Sequence, residues 1–148
     1  MGYMRGGTIL RIDLDSGKVV KEATTDYAKH WLGGRGLNSR ILYRETDPTV
    51  KPLDPANVLM FSLGPFTGTM VPGSGRVEVA AKSPVIGIQG MSNIGGYWGP
   101  ELKYAGYDKV ILRGKSPDLA YIWIHNDRVE IRDADGNFLR ILRFSITD

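Results

Sequence analysis

Hydrophobic and polar residues alternate through "TILRIDLD". Ile9, Arg11 and Asp13 fall on one face and Leu10, Ile12 and Leu14 on the other. A period of two marks a strand. "DSG" then supplies turn chemistry before Lys18-Val-Val, so a β-hairpin is expected. The pattern changes at "TTDYAKHWLGG", where Thr25 or Asp26 is placed to cap a short helix that Gly33-Gly34 ends. In "RGLNSRILYRETDP", Leu37, Ile41 and Leu42 share one helical face, and Pro48 stops the run.

"VKPLDPAN" reads as a loop, and the apolar run "NVLMFSLGP" as a buried strand. After the loop "FTGTMVPGSG", alternation returns in "RVEVAAKSP". Arg76, Glu78, Ala80 and Lys82 point one way and Val77, Val79 and Ala81 the other. "YWGPELKYAGYD" fits a short helix with Pro100 in its first turn and Gly106 past its last. "KVILRGK" and "AYIWIHNDRVEIRD" predict a strand and a hairpin turning near Asn126-Asp127. The last stretch, "ADGNFLRILRFSITD", is open to two readings, a final strand or an amphipathic tail. The expected fold is a single α+β domain over 1–148, a mostly antiparallel β-sheet base with two or three short helices.

Composition narrows the function. The 148 residues are 42% hydrophobic and 24% charged, enough for one core. The net charge of +3 is spread along the chain with no dense basic run, so nucleic acid is not an expected partner. The absence of cysteine excludes disulfides, thiolate metal sites and a cysteine-held 4Fe-4S cluster on this chain. The two histidines, His30 and His125, are far apart, which makes a histidine metal site or an acid–base pair unpromising. No stretch suits a signal peptide or a membrane span, so a cytoplasmic, reducing location is expected.

The candidate chemistry lies where charge is scarce and glycine dense. Nine of the 19 glycines lie between Gly64 and Gly99, and between Pro55 and Pro100 the charged residues are Arg76, Glu78 and Lys82. Glycine lets backbone N–H groups approach a ligand, and Arg76 offers a planar fork of donors for phosphate oxygens. An anion cradle and a set of tight β-turns both fit this pattern. A Rossmann fingerprint does not, because "GSGRVE" precedes a strand and lacks the spacing. Tyr97, Trp98, Tyr104 and Tyr107 fit either a flat ligand or the core.

The motifs "WLGGRGL", "LGPFTGT", "GSGR", "KSP" and "SNIGGYWGPELKYAGYD" occur in one order. As a set they strongly resemble the N-terminal domain of the aldehyde ferredoxin oxidoreductase family, tungsten or molybdenum enzymes with a bis-pterin cofactor. The resemblance runs from about Thr8 to Asp133, and the tail over 134–148 diverges. It implies a β-rich base beneath a tungstopterin whose phosphates are bridged by magnesium. On that likeness Arg76 meets the phosphates, the backbone carbonyl of Asn93 binds magnesium, and Gly95 and Gly96 set backbone against the pterin.

The resemblance further implies oxidation of an aldehyde with water to a carboxylic acid, with electrons leaving through a cluster to ferredoxin. The family's cluster cysteines, further pterin motifs and acid–base residues belong to later domains. The expected partners are therefore the remaining domains or a large subunit, and the chain is expected to be inactive by itself. An alternative is a non-catalytic interaction module of the same fold, possible as a homodimer. Another is a binder of nucleotide phosphates, although no standard phosphate motif is present.

Overall fold

The computed structural model describes residues 4–134. Residues 135–148, where the sequence left a final strand and an amphipathic tail both open, lie outside that range. Eight strands and three helices follow in the order β1 (Thr8–Asp13), β2 (Lys18–Ala23), α1 (Thr25–Ala28), α2 (Gly34–Glu45), β3 (Leu59–Leu63), β4 (Val77–Lys82), β5 (Gln89–Ile94), α3 (Trp98–Tyr104), β6 (Tyr107–Arg113), β7 (Ala120–His125) and β8 (Arg128–Asp133). Six strands form one sheet in the order β2-β1-β6-β3-β4-β5, and β7-β8 form a separate hairpin. Among the described residues no helix is long and apolar enough to cross a membrane.

The α+β expectation holds, and the sheet is mixed: β1 pairs with β6 in parallel, while the other four neighbouring pairs of the sheet are antiparallel. Alternation correctly marked β1 and β4, but it does not separate a buried face from a wet one here. Both faces of the central strands are covered. On one side α2 packs Leu37 and Ile41 against Ile9, Met60, Ala80 and Ile111. On the other, Leu10, Ile12, Leu63, Val77 and Val110 meet Leu102 of α3, with Ile122 and Ile131 of the β7–β8 hairpin against them. Each inward aliphatic side chain contributes about 1.5–3 kcal/mol by leaving water.

The helix around Thr25 differs from the sequence reading. It ends at Ala28, and Gly33 serves as the N-cap of α2 with φ 118°. The residue before α1 is Thr24, whose hydroxyl does not cap the helix. That hydroxyl instead donates to Asp108 Oδ2 at 2.8 Å. The β1–β6 register explains why Asp108 is available. Thr8 pairs with Tyr107 and Ile9 with Lys109, so Asp108 is the extra residue of a bulge. Its carboxylate also accepts from the N–H groups of Gly6 and Gly7, each at 2.8 Å, and from Lys103 Nζ at 2.6 Å. Burial pushes the Asp108 carboxyl up, but the Lys103 bond and the two backbone donors outweigh it and hold it below the usual value.

α3 and the β7–β8 hairpin agree with the expectations. Pro100 lies in the first turn of α3, and Gly106 follows its end with φ 94°. Asn126, at φ 50°, turns the β7–β8 hairpin. The unforeseen element is β5. "QGMSNI", to which the sequence pattern assigned no element, forms an edge strand paired with β4 from Lys82↔Gln89 to Val77↔Ile94.

A candidate cofactor floor at the end of β4 and β5

Arg76 immediately precedes β4, and Gly95 immediately follows β5. Because Val77 pairs with Ile94, these two residues leave the sheet side by side. Asn93 lies one step inside, opposite Glu78. The four site residues expected from the sequence, Arg76, Asn93, Gly95 and Gly96, are thus brought to one end of one strand pair, and all four are exposed.

Three glycine-bearing loops meet at this end. A Cβ built on Gly75 would stand 3.0 Å from the Gly96 carbonyl oxygen, so the two backbones are already in contact. A Cβ on Gly99 would stand 2.8 Å from Val77 Cγ2 and 2.9 Å from the Gly75 carbonyl oxygen. These glycines let the first turn of α3 pack onto the entry to β4. The loop after β3 is tied to the same place by Thr67, which accepts from Gly64 N at 3.1 Å and donates to the Arg76 carbonyl at 3.4 Å. Tyr104 OH fixes that loop further by donating to the Gly68 carbonyl at 2.9 Å.

Other glycines face open space. A Cβ on Gly73, Gly95 or Gly96 would meet nothing within 4 Å, and Gly96 has φ 82°. The surface here is bare backbone, which a broad flat ligand can approach closely. Among the described residues no side chain pairs with the Arg76 guanidinium. A free arginine beside bare backbone fits an anionic ligand with a planar body. The residues present therefore fit a phosphate-bearing pterin.

The aromatic residues divide. Trp98 tilts against Phe61 at 5.4 Å between ring centroids, and Tyr107 is buried with its OH donating to the Asn126 carbonyl at 2.8 Å. Both are packing residues, and Tyr104 is a brace. Tyr97 is 83% exposed at the rim of the floor. His125 stacks on Trp123 in the β7–β8 hairpin, away from these loops in the chain's topology.

Sequence reasoning missed a polar row beneath the floor. Lys109 of β6, Ser62 of β3, Glu78 of β4 and Asn93 of β5 lie in register across four adjacent strands; the first three are buried, while Asn93 at the sheet edge is exposed. Arg35 Nε of α2 contacts Glu78 Oε1 at 3.1 Å. Asn38, one turn later, accepts from Ser62 Oγ and from Lys109 Nζ. Only β4 carries polar residues at alternate positions, which read as an ordinary solvent face until a helix is known to lie over it; Ser62 and Lys109 stand singly among apolar neighbours.

The fold matches a chain in the structure described as "Active site complex BamBC of Benzoyl Coenzyme A reductase in complex with 1,5 Dienoyl-CoA". The TM-score is 0.88 at 45% identity, over 92% of this chain and 21% of that one. The chain is 47% identical over 133 residues to the tungsten-containing aldehyde ferredoxin oxidoreductase of Pyrococcus furiosus, covering 89% of this chain and 22% of the relative. A WOR-like subunit of an aliphatic sulfonate oxidoreductase from the same organism is 42% identical over 137 residues, again covering 89% and 22%. The class is thus an N-terminal domain shared by several oxidoreductases, and the chain spans about a fifth of their length. Within that class, the chain belongs to the family described as aldehyde ferredoxin oxidoreductase, N-terminal domain, whose model matches residues 9–140.

Proposed function

We propose that this domain is the base on which the tungstopterin of an aldehyde:ferredoxin oxidoreductase rests. One observation carries the reading. The exposed Arg76, unpaired among the described residues, leaves the sheet next to the open backbone of Gly95 and Gly96. Arg76 would hold the cofactor phosphates through its planar donor fork. The backbone carbonyl of Asn93 would serve as a hard-oxygen ligand to a bridging magnesium ion. Gly95 and Gly96 would leave room for the pterin ring.

The tungsten centre, when bound, supplies the two-electron oxidation chemistry. In the complete enzyme an aldehyde and water would become a carboxylic acid, with electrons leaving through an iron–sulfur cluster to ferredoxin. The cluster's thiolate ligands must come from outside this cysteine-free chain. The contribution of this chain is binding and orientation. Its loops are locked by Thr67 and Tyr104, so the floor is formed before the ligand arrives. Substrate choice would be carried by the other domains. Proteins named for a sulfonate and for benzoyl coenzyme A are similar to this chain over about nine-tenths of its length, and one named for glyceraldehyde-3-phosphate over about half.

The test is Arg76→Ala in the complete enzyme, with tungsten and pterin measured per folded protein. Both are expected to fall, with Arg76→Lys retaining part of the content. A folded Arg76→Ala enzyme with full tungsten and pterin would overturn the reading.

A further inference from the structure

The two edges of the six-stranded sheet differ in kind. At one edge, β2 reads "KVVKEA", with Lys18, Lys21 and Glu22 along six residues. Such charge guards a strand that ends in water against pairing with another chain. At the other edge, β5 reads "QGMSNI" and carries no charge, although its last four residues are exposed. Met91 is 48% and Ile94 37% exposed. The β4–β5 turn extends the same apolar strip, with Val85 at 89%, Ile86 at 58% and Ile88 at 69%. No described charged side chain belongs to residues 83–94. An unguarded apolar edge of this length is an interface or an aggregation site.

We infer that the β5 edge and the Val85–Ile88 turn form the seat on which the remainder of the enzyme polypeptide packs. The occupant follows from length. This domain accounts for about a fifth of its relatives, so the greater part of the protein must adjoin it somewhere. The seat is continuous with the candidate floor, because Asn93 belongs to the same strand. A neighbour packed there would reach the cofactor from the side that this chain leaves open. The inference rests on family membership and strand chemistry, and it stands whether or not Arg76 binds a phosphate.

Methionine oxidation in the complete enzyme tests it, because thioether oxidation follows exposure. Met91 is the native reporter on β5, and Val20→Met places a second reporter on the guarded edge. Each rate is compared with its own value in the unfolded enzyme. Met91 is expected to be protected about tenfold or more, while the methionine at position 20 stays close to its unfolded rate. Protection should persist in enzyme stripped of tungsten and pterin, and on dilution. Met91 oxidised as readily as position 20 would overturn the inference. Protection seen only with cofactor bound would assign the cover to the cofactor, and protection lost on dilution would assign it to a second copy. Either outcome also overturns it.

Discussion

Lys109 Nζ donates to Asn38 Oδ1 at 2.6 Å, and both side chains are closed off from solvent. An amide oxygen is a weak counterpart for an ammonium ion, and Ser62 Oγ shares the same acceptor. Burial, helped by the nearby positive charge of Arg11 and opposed by Glu45, pushes the Lys109 amine down to about 7. The folded protein therefore loses this proton far more readily than the unfolded chain does.

That difference sets a direction for stability against pH. Between about 7 and the unbound lysine value of 10.5, the unfolded chain holds more protons than the folded one at this site. Stability contributed through Lys109 thus rises with pH across that window, by up to about 1.4 kcal/mol per unit. Denaturant titrations at pH 7, 8 and 9 should show the rise. Lys109→Met should flatten it, and an unchanged slope in that variant would refute the assignment.

The Asn38–Lys109 bond also predicts coupling. Below about pH 7, where Lys109 is still protonated, Asn38→Leu leaves the ammonium group without its acceptor and should cost about 3 kcal/mol. Combined with Lys109→Met, the same change should cost much less, because no charge is left stranded. A double-mutant cycle with no coupling energy would show that the pair is incidental.

Asp108 makes the opposite pH prediction. Its folded carboxyl lies below the ordinary value, so its contribution is present above the unfolded value of 3.8 and is lost as pH falls through the depressed one. Asp108→Asn should cost about 3 kcal/mol at neutral pH, since Lys103 then loses its carboxylate in a nearly closed site. Thermal denaturation at pH 7 and below pH 3 checks this, with the variant's deficit shrinking at the acid end.

Two glycines of one motif should separate folding from binding. Gly99→Ala drives a methyl group into Val77 and the Gly75 carbonyl, at a cost of about 1–3 kcal/mol. Gly95→Ala meets nothing within 4 Å, so the fold should change by less than about 0.5 kcal/mol. In the complete enzyme, however, Gly95→Ala should lower tungsten content by narrowing the floor. Melting curves and metal analysis on the two variants should give opposite rankings.

The sequence by itself determined most strands, the span of α2, the Pro100 helix start and the Gly106 stop, because these depend on local periodicity and backbone freedom. The family resemblance carried by its ordered motifs named four residues for the floor, while the residues alone pointed only to Arg76 among glycine loops. Only the tertiary structure decided that Gln89–Ile94 is a strand, since pairing with β4 overrides the weak strand preference of glycine, serine and asparagine. Likewise, the alternation of Glu78 and Ala80 is local, but their burial under α2 depends on a helix more than thirty residues away in the chain. The bulge that frees Asp108 and the buried Lys109 arise from parallel pairing with β1, about a hundred residues distant. Periodicity reports which residues share a face. Which face meets water is decided by what packs over it.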